Sequence, residues 1–265
     1  MTSNQKRDTV TREREITAAS FDHANGDALT VTLGDIGFVK ATLAIAILKS
    51  VPPEFDPWFH AIALLNRAYE TLVSSVHLAR HRVPLDAFAL LRVAVETSAV
   101  AVHVTRDHAA FQSYAGLSGK KYAAKQAIAR VRSLIPRLPE VWGSLSQAAI
   151  HPNVRAFGPT PDADGSPVVH LFSREADLLR DRQCLRVVSL AAALVFRAAE
   201  LVLFDESTHT LGWLKLPGSS MHATPIAEKL VERRYQELAL RENEAAQRGD
   251  AGGGLKSDAS VMKVP

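Results

Sequence analysis

Cysteine is nearly absent: Cys184 stands alone, so no intrachain disulfide can form and a disulfide-stapled secreted scaffold is excluded. Its apolar helical surroundings suit a buried, inert thiol. Aromatic residues are sparse at 6%, while alanine, leucine and valine are abundant, which favours close helix packing over a β-sandwich. Net charge is small as well. Thirty-one basic residues against 28 acidic ones leave +3, which is not the composition of a dedicated nucleic-acid binder, local basic patches aside.

Two apolar segments need a membrane check. Ile36 to Leu48 is too short to span a bilayer. Val187 to Phe204 has nearly the length but holds Arg197 and Glu200, each costing roughly 2.5–3.5 kcal/mol at a bilayer centre. The first residues, MTSNQKRDTVTREREIT, contain no apolar core of a signal peptide. The expectation is a cytoplasmic protein without a membrane partner. There is no Gly-rich phosphate loop, no Gly-x-Ser-x-Gly, no Cys-x-x-Cys and no His-Glu-x-x-His. His23, His60, His170, His209 and His222 are scattered without metal-ligand spacing, so neither a metal nor another cofactor is expected.

What the chain does carry is helical periodicity. Residues 1–15 and 248–265 read as disordered tails, 16–222 as a helical bundle domain and 223–247 as a C-terminal amphipathic helix. A first helix is predicted from Asp35, as N-cap, to about Ser50, with Leu29 to Leu33 (LTVTL) as a short extended piece before it. Pro57 opens a second helix ending near His81, and Pro84 opens a third reaching about Thr105. Their short connection predicts an antiparallel hairpin at the centre of an all-α, up-down bundle. Further helices are predicted over Ala109–Leu134, weakened at Gly116 and Gly119, over Glu140–Ile150, and from a Ser173 cap to about Phe204. Arg155 to Pro167 reads as an irregular loop and Val168 to Phe172 as a short strand.

The third helix, LDAFALLRVAVETSAVAVHV, is apolar nearly all round yet interrupted by Arg92, Glu96 and His103. Around a turn near Arg82, facing residues of the hairpin have numbers totalling about 166, which sets Glu70 opposite Glu96 and Ser74 opposite Arg92. Asn66, Glu70 and His77 recur on one face of the earlier helix. Three readings stand. The cluster is a buried Arg–carboxylate network that fixes helix register. Or it is a ligand or catalytic pocket of Glu70, Arg92, Glu96 and His151, with His151 closing over it as a proton carrier. Or it is a carboxylate-bridged di-metal site, for which the Glu-x-x-His pairs fail because Val73 and Ala99 occupy the histidine positions. At a helix end before Pro152, His151 also suits a plain C-capping role.

Ala87-x-x-Leu90-x-Arg92-x-x-x-Glu96, followed by Ser146-x-x-x-x-His151-Pro152, resembles a bacterial group of helical proteins with these two motifs. The resemblance covers about residues 57–155. That group has no settled activity, and is distantly similar to HEPN-like bundles, some of which cut RNA in toxins or phage defence. Such enzymes use Arg-x(4–6)-His, of which this chain has no copy, since no arginine precedes a histidine by that spacing. The expected function is therefore an interaction or small-ligand-sensing module, with HEPN-like RNA cleavage as the alternative. Lys120, Lys121, Lys125, Arg130, Arg132 and Arg137 form a local basic stretch, either a solvated face or a contact for an anionic partner. Homo-oligomerisation through the apolar 35–50 helix or the C-terminal helix is also expected.

Overall fold

The computed structural model describes residues 3–49, 57–150, 160–161, 167–168, 178–203 and 226–251. Their helices are α1 (Ser3–Lys49), α2 (Pro57–Arg80), α3 (Pro84–Arg106), α4 (His108–Tyr114), α5 (Ala124–Arg130), α6 (Leu138–Ile150), α7 (Leu178–Leu203) and α8 (Ile226–Ala251). The fold is an all-α bundle. A two-residue antiparallel ladder pairs β1 (Thr160–Pro161) with β2 (Pro167–Val168), where the sequence predicts a strand start; residues 169–172 lie outside the described residues.

The hairpin forms as the prolines and periodicity require. On α2 the buried positions Trp58, Ala61, Leu65, Ala68, Leu72, Val76 and Ala79 recur every three or four residues, one continuous apolar stripe. Arg82 closes the turn in the left-handed region, at φ 56°. Asp107 ends α3 in an extended conformation and caps α4, its carboxylate accepting from the Ala110 amide at 3.0 Å.

Side-chain pairs fix the direction of each helix. Thr32 meets Ser189 and Phe38 stacks on Phe196, so α1 and α7 run parallel. Trp142 meets Glu96 and Ser146 meets Arg92, so α6 returns against α3. The Ala227 amide meets Glu200 while Arg234 meets Asp35, so α8 returns against α7 and α1. Up and down alternate along the six long helices. Buried residues of α7 and α8, from Val187 to Leu203 and from Ala227 to Leu238, enter the same core as α2 and α3. The C-terminal amphipathic helix is thus part of the bundle's packing.

Three sequence expectations need correction. Asp35 does not cap a helix; it lies inside α1, buried, with its carboxylate held by two hydrogen bonds from Arg234 at 2.8 and 2.9 Å. The LTVTL piece is helical, because the Thr30 and Thr32 hydroxyls donate back to the Gly26 and Ala28 carbonyls and Thr32 packs on α7. Residues 3–15 belong to α1 as well, although the described side chains before Phe21 remain outside the core. Asn25 interrupts α1 with a kink (φ −123°, ψ 16°) and donates its amide to the Phe21 carbonyl at 3.1 Å.

Finally, the single helix predicted over 109–134 is two short ones. Gly116 (φ 74°) and Gly119 (φ 67°) take conformations that end α4 and turn the chain towards α5. Among the described residues one helix, α3, is long and apolar enough to cross a membrane, and 61% of its apolar window is buried within the bundle, as suits a core helix. The Ser173 cap lies outside the described residues, and Cys184 is buried beside Phe21, Ala79 and Ala87.

Candidate functional site

The cluster around Arg92 exists in a form different from the expected one. Arg92 and Glu96 are paired across one turn of α3 at 3.3 Å, and both are about three-quarters buried. Their further partners come from α6. Arg92 Nε donates to Ser146 Oγ at 3.0 Å, and the indole of Trp142 donates to Glu96 at 3.0 Å. The guanidinium also lies over the Trp142 ring, 5.4 Å from its centroid. Ser146 in turn donates to the Trp142 carbonyl at 2.8 Å. The group pins α6 onto α3.

Glu70 does not join it. Its side chain is 54% exposed, accepts from Asn66 at 3.1 Å and pairs with Arg67 at 3.6 Å. Ala68, Leu72, Ser75 and Ala79 are buried on one helix of the hairpin and Ala87, Leu91, Val95 and Ser98 on the other. Register fixes only height along the axis. Two adjacent turns of α2 already bury Ala68, Thr71 and Leu72, so position 70 is rotated to solvent. His151 lies outside the described residues.

A second polar group occupies the bundle end where α2 starts and α3 finishes. His103 is 7% exposed, and its Nδ1 is 2.9 Å from the hydroxyl of Tyr122, which the α4–α5 excursion brings back onto α3. Burial pushes the Tyr122 phenol up, with Tyr114 and Asp107 adding to the shift, so Tyr122 stays protonated and its hydroxyl has a proton to donate to Nδ1. With Tyr122 as the donor, the neutral imidazole carries its proton on Nε2. Nε2 faces the Asp107 carboxylate at 3.7 Å, beyond hydrogen-bond reach, and has no hydrogen-bond partner. Burial lowers the His103 pKa; Asp107 opposes this and Arg130 adds to it.

The aromatic contacts continue from there. Tyr122 meets Tyr114 edge-on at 5.6 Å, and Tyr114 meets His60 at 6.0 Å, with Phe111 5.4 Å from the same imidazole. His60 Nε2 is buried and likewise has no hydrogen-bond partner. Two imidazoles thus sit at opposite ends of a two-tyrosine bridge, each with an unsatisfied buried nitrogen. Arg106 ends α3 beside this group, its pKa lowered by burial and by Arg197.

Carboxylate, imidazole and hydroxyl in series suggest a relay, but the chemistry runs the other way. A nucleophilic phenol needs its pKa lowered, and that of Tyr122 is raised. An orienting carboxylate needs to touch the imidazole, whereas Asp107 is committed to capping α4, whose amides hold its pKa down. The group offers hydrogen-bonding nitrogens and hydroxyls set among aromatic rings. In the sequence His103 stands out only as a third polar interruption on the helix of Arg92 and Glu96, and His60 as one of the scattered histidines. A weak signal was present, because two of only four tyrosines fall at 114 and 122.

Comparison of the chain with protein-family models, with curated proteins and with solved structures returns no match.

Proposed function

We propose that this protein is a non-catalytic helical-bundle module, working in the cytoplasm, that senses a small polar ligand at the bundle end lined by His60, His103, Tyr114 and Tyr122. The observation that carries this reading is the pair of buried, unsatisfied nitrogens, His60 Nε2 and His103 Nε2. Such a group costs roughly 1–3 kcal/mol when left without a partner, and native proteins seldom leave one without a role. A ligand with an acceptor for His103 Nε2 and an apolar body for the tyrosine rings recovers that cost. The Arg92–Glu96 group, by contrast, is supplied with partners from within the fold and supports the register-setting reading.

The test is a thermal-shift screen with small carboxylates, amides and alcohols on the wild type, Tyr122→Phe and His60→Ala. The expected result is a compound that stabilises the wild type and loses its effect in both variants. A screen without stabilisers, or stabilisers acting equally on the variants, would contradict the reading. Incubation of the wild type with RNA, beside Arg92→Ala and His151→Ala, tests the alternative: cleavage lost in both variants would favour a HEPN-like nuclease over a sensor.

A further inference from the structure

Charge along this chain is segregated. Between Asp107 and Glu140 there is no carboxylate, yet this stretch holds Lys120, Lys121, Lys125, Arg130, Arg132 and Arg137. Six of the 31 basic residues and none of the 28 acidic ones fall here, so the remainder of the chain is net negative although the whole is +3. Arg137 is held by Glu140 and Glu232. The other five are exposed and form no salt bridge among the described residues, Arg130 alone lying near enough to Asp107 to help lower its pKa. Their field is therefore left to solvent and to whatever anion approaches.

The kind of anion follows from what the surface lacks. The apolar residues of α5, Ala127 and Ile128, are buried in the core, and its outward positions are Lys125, Gln126, Ala129 and Arg130. Only Leu117, 59% exposed, is a large apolar side chain open to solvent on this stretch, so there is no apolar face to enter a bilayer. Tyr114 and Tyr122 pack on each other and on the two histidines, which removes them as stacking platforms for unpaired bases. What remains is a cluster in sequence of exposed cations on flexible side chains, which suits the phosphate backbone of a nucleic acid.

We infer that the α4–α6 connection is an electrostatic docking surface for the phosphate backbone of a nucleic-acid duplex, bound without sequence preference. This stands independently of the ligand-sensing reading, since none of the five cations is among the four residues assigned to that site. Fluorescence anisotropy with a short random-sequence duplex of DNA or RNA measures it. Contact by all five cations predicts a log–log salt slope of about −4.5, hence an affinity loss of roughly 500-fold between about 50 and 200 mM salt. The triple variant Lys125→Glu, Arg130→Glu, Arg132→Glu changes only exposed side chains, and is expected to bind at least about tenfold more weakly with a slope shallower by about 2.7. Lys120→Gln with Lys121→Gln, ahead of α5, is expected to move both quantities in the same direction. No duplex binding at the lower salt, equal binding by the folded variants, or preferential capture by phosphatidylserine vesicles or polyglutamate would overturn the inference.

Discussion

Removing the Asp181 carboxylate is expected to be among the most damaging single changes available in the described bundle. Asp181 lies in the first turn of α7, and Arg82 in the turn between α2 and α3; their side chains are 7% and 4% exposed and meet at 3.2 Å. The pair thereby ties the hairpin turn to the start of α7. Asp181→Ala breaks this buried ion pair from one side, a change that costs about 3–5 kcal/mol. Against a total stability of about 5–15 kcal/mol, that is a large share. At roughly 2–4 °C per kcal/mol for a chain of this size, Tm falls by about 6–20 °C. The double variant Arg82→Met, Asp181→Leu removes both charges together and is expected within about 1 kcal/mol of the wild type, or above it. The left-handed backbone at Arg82 is common to arginine and methionine, so its cost cancels. Urea denaturation followed by far-UV circular dichroism reads both quantities. An Asp181→Ala loss below about 1 kcal/mol, or a double variant as damaged as the single, would refute the reasoning.

Three further outcomes follow from the same geometry. Glu96→Ala strands the Trp142 indole and Arg92, and is expected to cost about 1.5–3 kcal/mol, whereas exposed Glu70→Ala stays within about 0.5 kcal/mol; equal losses in denaturation would restore Glu70 to the cluster. Burial lowers the pKa of His103 and of His81, the latter also through His77, Arg14 and Arg80. The unfolded chain therefore binds more protons, and stability falls as pH drops below the ordinary histidine value of about 6.5 towards the lowered native values. His103→Gln should flatten that slope in pH-dependent melting, and stability that rises on acidification through this range would contradict it. Phe38, half exposed on α1, and Leu240 on α8 mark the two helices expected to self-associate. Sedimentation is predicted to show concentration-dependent association weakened by Phe38→Glu, and an unchanged monomer throughout would refute this.

The elements legible in the sequence are those set by local chemistry. Pro57 and Pro84 mark helix starts within the described bundle, and the three-to-four spacing of α2 and α3 fixes their shared stripe. Misreadings came where a tertiary partner decides. Asp35 has the residue type of a cap, but Arg234, 199 positions away, draws it into the interior of a longer helix. Thr32 has extended propensity, overruled by its packing on α7. The glycines at 116 and 119 were visible as weak points, yet only their positive φ shows that the chain turns there and carries Tyr122 back to His103. Arg92 and Glu96 were legible as a pair. Their true partners, Trp142 and Ser146, lie on a helix whose position no local pattern reveals, and the exposure of Glu70 keeps it out.

The central claim is that His60 and His103 hold buried nitrogens waiting for a ligand. Long-range nitrogen–proton NMR of histidine-labelled protein addresses it directly, recorded with and without a stabilising compound from the thermal screen. The account predicts that His103 is neutral at neutral pH with its proton on Nε2, and that the compound shifts the Nε2 signals of His60 and His103 while leaving His23 and His108 in place. A His103 protonated on Nδ1, or a compound that stabilises the protein without moving either Nε2 signal, would contradict it.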